Sequence, residues 1–441
     1  MPDTDRRRRA LDLIPPALVA AGALLMLAPI FVRELRAPDW PPHFQYQADA
    51  FLHGRLDVGA GLYDVIVHRS KFYLPFGPLP SVLMMPFVAL MGKAAPLGLL
   101  TLPATAGAAI VLWRLFEALA QAPRERAWLV LASLAGTVYL SCVPLNSSYF
   151  TAHVVAFLCL GGALLLAAQG RAPLGAGLLV GLAGLTRSPE FVAALPIAWL
   201  YWDRSWLPAP GAGDTRAGMP GGGDARAGMP GGGGARAGMP GLAAGRVPRG
   251  SGAAPALVLA GVIPAVVVTL AFNAARFGSP LESGYSLQAL SEPALVEARN
   301  RGLFSLLHLP KNLYYLLLAS PLPHGGTGAA VLTFPFVQPS PWGMGIIFVS
   351  PWLLALAWAR GRGALLLGAA TVLLLLPSLL YYGIGWVQFG YRYGLDATPF
   401  AVALAALAYR RPGWREALPW LAIASVAVNV WGAYWLSGLL P

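Results

Sequence analysis

Long stretches without a charged side chain constrain this sequence more than any other feature. Residues 254–272 and 363–383 contain no Asp, Glu, Lys or Arg, and helices of that length cross a hydrocarbon core about 30 Å thick at about 1.5 Å per residue. Only 11% of the 441 residues are charged, against about 25% in soluble domains. Too few charges are present to cover a soluble surface, so the sequence predicts an all-α, polytopic transmembrane helical bundle.

Apolar stretches of this kind predict about eleven membrane crossings. They are 14–33, 97–118, 128–144, 151–168, 173–185, 191–202, 254–272, 342–359, 363–383, 397–409 and 418–438. Of these, 173–185 and 191–202 are each marginal for a full crossing and together predict a shallow hairpin. Residues 81–92 are too short to cross and predict an interfacial or re-entrant helix. Residues 304–321 are typical of an amphipathic helix lying on the membrane surface.

The net charge of +12 is explained by arginines that recur between the predicted spans on one side. Cytoplasmic loops carry such an excess of basic residues, so we predict a cytoplasmic, basic N-terminus at 1–13. An N-terminal transmembrane half follows at 14–207, with a first external loop at 34–80, and a C-terminal half occupies 254–441. Nucleic acid is not an expected partner, because no basic soluble module with its own core is present.

Residues 208–253 interrupt this pattern with a Gly- and Pro-rich decapeptide repeat, in which DTRAGMPGGG is followed by DARAGMPGGG. Such a composition cannot bury enough apolar surface to offset ordering entropy. We interpret it as a cytoplasmic linker between the two halves.

Signatures of several common enzyme classes are missing. The three lysines do not stand in a phosphate-binding loop, and no HExxH is present,. The six histidines lack ligand spacing and the two cysteines lie in apolar segments, so no His- or Cys-based metal site is predicted.

The first external loop holds the densest group of ionisable residues. Asp39 and Asp49 are candidate general bases that could activate an acceptor hydroxyl; the alternative is that they pair with Arg36 and Arg55 and order the loop. His43, Asp64 and Lys71 are candidate substrate-binding residues, since cations at headgroup depth can hold a lipid phosphate. Lys71 and its neighbours could equally be interface anchors.

Two further sites lie outside that loop. Arg187 and Glu190 occupy the tip between two short apolar stretches, either as a structural ion pair or as a functional one. In FGYRYGLDATPF (389–400), Arg392 and Asp396 are four residues apart, so one α-helical turn would bring them together. The Arg392 guanidinium could instead bind two oxygens of a phosphate. Tyr391 is next to it in the sequence.

The order of these parts resembles the GT-C glycosyltransferases, in particular the dolichyl-phosphate-mannose protein mannosyltransferase-like (family 39-like) group. The matching segments are AFLHGRL (50–56), YLPFGPLP (73–80), GLAGLTRSPE (181–190) and FGYRYGLDATPF. The resemblance implies transfer of a sugar from a polyprenyl-phosphate donor to an acceptor outside the bacterial cytoplasmic membrane. The family's base is an acid early in the first external loop, often in an Asp-Glu pair that this sequence lacks, and either Asp39 or Asp49 stands near that position.

The resemblance further implies that Arg392, with Arg187 or Lys71, neutralises the leaving phosphate. Some relatives use a divalent metal such as Mg²⁺ or Mn²⁺ and others do not. A transporter or lipid flippase is the main alternative, although transport sites tend to lie near the midplane between inverted repeats. A non-catalytic envelope assembly protein is a third alternative.

Overall fold

The computed structural model describes residues 2–34, 41–59, 61–145, 147–208, 252–288, 290, 292–325 and 332–439, without the side chains of 2–10, 333–335 and 439. Asp39 and nearly all of the predicted linker lie outside these residues. Helices dominate the described part of the chain, as predicted.

Nine α-helices belong to the half before the predicted linker. They are α1 (Pro2–Glu34), α2 (His43–Leu52), α3 (Leu79–Met91), α4 (Gly98–Ala118), α5 (Pro123–Ala135), α6 (Tyr139–Cys142), α7 (Ser148–Gln169), α8 (Pro173–Thr186) and α9 (Ala194–Trp202). The other half contributes α10 (Ala253–Phe277), α11 (Pro293–Asn300), α12 (Leu309–Leu317), α13 (Ile346–Val349), α14 (Arg362–Leu380), α15 (Thr398–Ala408) and α16 (Pro412–Leu439). Short 3₁₀ helices connect several of them, at Gly92–Ala94, Ser188–Ala193, Arg204–Trp206, Leu306–His308, Pro351–Trp358 and Arg392–Asp396.

The loops contain short strands. The all-α prediction did not include these strands. They are β1 (Ile66–His68), β2 (Lys71–Tyr73), β3 (Leu322–Gly325), β4 (Leu332–Gln338), β5 (Trp342–Met344) and β6 (Gln388–Gly390). β1 and β2 form an antiparallel hairpin, as do β3 and β4, whereas β5 and β6 pair in parallel.

Six helices in the described ranges are long and apolar enough to cross a membrane. They are Leu11–Glu34, Gly98–Ala118, Ser148–Gln169, Ala253–Phe277, Arg362–Leu380 and Pro412–Gly438, and shorter apolar helices occupy Leu79–Ala94, Pro173–Thr186 and Thr398–Ala408. The apolar window of α7 is 78% buried, whereas those of α1 and α10 are each 22% buried. α7 is therefore the most deeply buried of these helices, whereas α1 and α10 expose broad apolar faces.

Two of the longer predicted spans are not single helices. At 128–144 the helix ends at Ala135, and the separate turn α6 follows Gly136. At 342–359 the chain forms β5, α13 and a 3₁₀ helix, because Gly343 adopts a φ of 92° and Pro351 begins a new segment after Ser350. Glycine and proline at these positions end a regular α-helix.

The helix pair α8 and α10 packs at backbone contact. A Cβ added at Gly177 would lie 2.0 Å from the carbonyl oxygen of Val258, and one at Gly261 would lie 2.4 Å from that of Leu174. Only glycine permits so close an approach, which is a common way for apolar helices to associate in lipid.

Basic loops gather at one end of the bundle. Arg410 donates to the carbonyl oxygen of Leu119, Arg415 lies 3.0 Å from Glu125, and Arg362 lies 2.7 Å from Asp203. These are the loops that the sequence predicts to be cytoplasmic. The charged residues of the candidate site lie towards the other ends of these helices.

Candidate functional site

A buried group of charged side chains joins three distant segments of the chain. This charged cluster consists of His153 in α7, Arg187 and Glu190 between α8 and α9, and Asp396 in a 3₁₀ helix. The carboxylate of Asp396 receives hydrogen bonds from His153 Nδ1 at 2.8 Å and from the guanidinium of Arg187 at 3.1 Å. Glu190 Oε1 lies 3.7 Å from Arg187 Nε. The tip between the two short apolar stretches is therefore packed into the protein.

The two acids of the charged cluster hold their protons differently. Burial opposes ionisation of Asp396, but the charge of Arg187 and the contacts with His153 and Glu190 together outweigh it and hold the pKa of Asp396 well below its ordinary value. Burial, together with the nearby Asp396 carboxylate, raises the pKa of Glu190 well above its ordinary value. The two shifts thus favour Asp396 as the ionised partner of Arg187 and favour the protonated form of Glu190,.

A second group, centred on Tyr149, brings the predicted first external loop to the late segment of the chain. The Tyr149 hydroxyl donates a 2.5 Å hydrogen bond to Oδ2 of Asp64, and the Arg392 guanidinium lies 5.5 Å from the centre of the Tyr149 ring. His43 packs edge-on against the same ring at 5.7 Å, and its Nε2 lies 2.6 Å from the carbonyl oxygen of Tyr63. We call His43, Asp64, Tyr149 and Arg392 the bridge group.

The ring of Tyr393 connects the bridge group to the charged cluster. The guanidinium carbon of Arg392 lies 5.3 Å from the ring centre and that of Arg187 lies 5.5 Å from it. Cations are attracted to aromatic faces at such distances. Arg187 is neutralised by Asp396, whereas Arg392 has no carboxylate partner among the described residues and donates to the carbonyl oxygen of Trp386 at 3.0 Å.

Local helix geometry explains this arrangement. Tyr149 and His153 are four residues apart on α7, so they share one face of that helix. Arg392 and Asp396 are also four apart, but they lie in a 3₁₀ helix, where three residues complete a turn and the two side chains point in different directions,. The expected contact between Arg392 and Asp396 is replaced by the pair Arg187–Asp396.

The charged contacts of Asp49 and Lys71 are with residues outside the charged cluster and the bridge group. Asp49 lies 3.2 Å from Lys93 Nζ and 3.9 Å from Arg55, and Lys71 lies 3.6 Å from Asp57. These contacts form a partly exposed network on the first loop, in keeping with the ordering role considered for its acids.

Tyr391 packs inside the protein beside the site and is held by a hydrogen bond to the backbone. Its buried hydroxyl donates to the carbonyl oxygen of Ser378 at 3.1 Å. Asp39 lies outside the described residues, but the description resumes at Pro41, whose carbonyl oxygen accepts a 2.8 Å hydrogen bond from Ser148. The chain two residues after Asp39 is therefore held beside Tyr149.

Tyr149, His153 and Tyr393 were not predicted from the sequence. Tyr393 stands in the YRY triplet beside Arg392, and Tyr149 is the second residue of α7. An i, i+4 pair of polar rings at the start of an apolar helix was the signal that could have identified Tyr149 and His153. In the part of the chain that the structure describes, no group of three or more His, Cys, Asp or Glu side chains is arranged to hold a metal ion.

No protein-family model matches this sequence, and comparisons with curated proteins and with solved structures found no significant match.

Proposed function

We propose that this protein is a GT-C-type glycosyltransferase that moves a sugar from a polyprenyl-phosphate donor to an acceptor on the extracytoplasmic face of the membrane. One observation carries the proposal. Tyr149 contacts both Asp64 of the first external loop and Arg392 of the late segment. The first external loop contains two of the segments that resemble that family and the late segment is another, and a transferase of this kind needs acids of the loop beside a cation of the late segment.

The roles follow from how each charge is compensated. Asp396 neutralises Arg187, and Lys71 lies close to Asp57. Arg392 is mostly buried and has no carboxylate partner in the described ranges, so it is the cation best suited to a leaving phosphate. Asp39 or Asp49 accepts the proton of the acceptor hydroxyl, whose oxygen bonds to the anomeric carbon as the bond from that carbon to the phosphate oxygen breaks.

The proposal includes a topology of about eleven crossings, a cytoplasmic N-terminus and location in a bacterial inner membrane. Arginine-rich loops at one end and the bridge group towards the other support this orientation. Both native cysteines are buried, so single cysteines introduced at the exposed His53 and Arg124 can be labelled selectively. An impermeant thiol reagent should label position 53 and spare position 124 in intact cells, and the reverse pattern contradicts the orientation.

Transfer can be measured with isolated membranes and a radiolabelled polyprenyl-phosphate sugar. Arg392→Ala should reduce incorporation at least tenfold, about the effect of losing 1.4 kcal/mol of transition-state stabilisation. Asp39→Asn and Asp49→Asn identify the base, because only loss of the base should nearly abolish transfer. Asp203→Asn, which removes an acid at the basic end of the bundle, is the matched control and should leave transfer unchanged.

Incorporation that no site substitution alters would remove these assignments. No incorporation with any polyprenyl-phosphate sugar would favour a transporter, a flippase or an assembly protein.

A further inference from the structure

An exposed apolar face covers α12 and the short segment before it. Leu307 is 68% exposed, and Tyr314, Leu317 and Leu318 are exposed as well. The last three follow each other at intervals of three, four or one residue in or next to α12, so they lie on one side of that helix. Large apolar side chains exposed together in so short a stretch mark a surface that contacts something other than water.

The other side of α12 is polar and faces inward. Asn312 is fully buried and donates at 2.9 Å to two backbone carbonyl oxygens at the end of α14. Lys311 is the only Asp, Glu, Lys or Arg in residues 304–318, and its Nζ donates to the carbonyl oxygen of Tyr382 at 2.8 Å. Because the charge of Lys311 is used against the end of α14, the outward side of α12 is left apolar.

The length of α14 gives the depth of this face in a bilayer. α14 has 19 residues and begins at the basic end of the bundle, where Arg362 contacts Asp203. As a spanning helix it is about 28 Å long at about 1.5 Å per residue, close to the thickness of the hydrocarbon core. Its far end, which Asn312 binds, therefore lies at the boundary between acyl chains and headgroups. Lipid is the partner that meets an apolar surface at this depth.

Two tryptophans from other segments lie beside α12. The ring centres of Trp342 in β5 and Trp386 before β6 are 6.3 Å apart, and the Trp386 side is 56% exposed. The segment after β5 reaches the end of α12, where the backbone N–H of Gly345 donates to the carbonyl oxygen of Ala319 at 2.8 Å. Tryptophan and tyrosine concentrate at membrane–water boundaries, because their rings are apolar but carry one polar group. The tryptophan pair therefore fits the same depth as α12.

The tryptophan pair also holds the cation of the candidate site. Arg392 donates from its side chain to the carbonyl oxygen of Trp386 at 3.0 Å. Gln388 donates to the carbonyl oxygen of Trp342 at 2.9 Å and accepts a 3.3 Å hydrogen bond from the backbone N–H of Arg392. The depth of the two tryptophans thus determines the depth of Arg392.

We propose that the exposed side of residues 304–318, together with Trp342 and Trp386, is inserted into one leaflet of the bilayer and holds Arg392 at the level of the lipid phosphates. We call this surface the boundary face. Surfaces of this kind enter the boundary by about 5–10 Å. The sequence predicts a surface helix at 304–321, and the structure adds the tryptophan pair and its link to Arg392. The contact does not require the proposed transfer reaction.

Spin labels measure the depth of the boundary face in vesicles of phosphatidylethanolamine and phosphatidylglycerol. Leu307→Cys, Leu317→Cys and Trp386→Cys are each made in the full chain and labelled with a nitroxide, since both native cysteines are buried. Oxygen concentrates among acyl chains and a nickel chelate stays in water. The ratio of nitroxide accessibility to these two reagents therefore rises with depth.

Two further labelled positions provide the scale. Val267→Cys lies near the middle of α10 on its exposed side and represents the acyl region. Glu297→Cys lies in α11, where the glutamate side chain is 69% exposed, and represents water. The ratios at Leu307, Leu317 and Trp386 should all lie between these two references. Trp342→Cys repeats the measurement on the second ring, in case the substitution at Trp386 disturbs folding.

Three other outcomes are possible, and each contradicts the proposal. A ratio equal to that at Glu297 places the position in water, and a ratio equal to that at Val267 places it inside a membrane span. Low accessibility to both reagents means that protein covers the position. Any of these at Leu307 or Leu317 overturns the lipid contact, and any of them at both tryptophans overturns the link to Arg392. Because no reading depends on sugar transfer, failure here is distinct from failure of the proposed function.

Discussion

Arg187 and Asp396 form a buried ion pair with a separation of 3.1 Å between Nη2 and Oδ2, although they are 209 residues apart in the chain. The pair joins the tip between α8 and α9 to the 3₁₀ helix that carries Arg392. It fixes the position of Tyr393, which contacts both arginines. The ion pair therefore links the two halves of the protein at the candidate site.

Asp396→Asn should destabilise the protein by about 3–5 kcal/mol, because it leaves the buried charge of Arg187 without a counter-charge. Glu190→Gln should cost far less, since the raised pKa of Glu190 favours the neutral form of its carboxyl group, which glutamine resembles. Thermal unfolding in detergent gives both values. Asp203→Asn, which removes a partly exposed ion pair with Arg362, serves as control and should cost about 1 kcal/mol or less. Equal losses for the substitutions at Asp396 and Glu190 would contradict the assigned ionisation states.

Tyr149→Phe should weaken both stability and sugar transfer, because it removes the only hydroxyl that joins Asp64 to this ring. A hydrogen bond to a charged group contributes about 1.5–3 kcal/mol. The double variant with Asp64→Asn should be no worse than the more damaging single variant, since both remove one interaction. Strictly additive losses in a double-mutant cycle would show that the two side chains act independently.

Stability should fall as pH drops from about 6.5 towards 4 in part because of His43. Burial lowers the pKa of His43 from 6.5 to about 4, only partly offset by its contact with the Tyr63 carbonyl. The folded protein keeps this ring neutral while the unfolded chain takes up a proton below pH 6.5, so acidification favours unfolding. The full effect is about 3 kcal/mol at 1.36 kcal/mol per pKa unit.

His43→Gln isolates this contribution, because glutamine can donate to the Tyr63 carbonyl but does not titrate. Its unfolding midpoint should depend less on pH than that of wild type over the same window. Parallel curves for the two proteins between pH 6.5 and 4 would exclude a role for His43.

Gly177→Ala should disrupt the contact between α8 and α10, since the new methyl group would lie 2.0 Å from the Val258 carbonyl oxygen. Overpacking of this kind costs about 1–3 kcal/mol. Gly175→Ala is the matched control on the same helix, where the nearest atom would be 3.5 Å away. It should be neutral or stabilising by up to about 1 kcal/mol, because alanine favours helix. If both variants unfold alike, close packing at Gly177 is not important.

Helices that depend only on apolar length were predictable from the sequence. The expected spans at 14–33, 97–118 and 151–168 correspond to α1, α4 and α7, and the short segment at 81–92 corresponds to α3. The length of an apolar stretch does not predict a single helix where the backbone conformation changes within that stretch. This happens at Gly136, where α5 ends, and at Pro351, where a 3₁₀ helix begins. The apolar composition of these stretches predicts that they are buried, but it does not predict that each forms one continuous helix.

The sequence predicted which residue types form the candidate site and in which segments they lie, but it did not predict which of them contact each other. Arg187 and Asp396 were both identified, yet each was expected to pair within its own segment. The ion pair that they form depends on the packing of α8 against α7 and on the 3₁₀ geometry of Arg392–Asp396. Neither of these can be read from the spacing of residues in the sequence. Tyr149 and Tyr393 were missed for a related reason, because an aromatic ring near an apolar helix usually indicates only packing.

The glycine contact between α8 and α10 has a consequence for assembly. It joins a helix encoded before position 208 to one encoded after position 253, so recognition between the halves resides in their surfaces and not in the peptide that connects them. Two fragments ending and beginning within that interval, expressed from separate genes, should find each other in the bilayer and reconstitute the working protein.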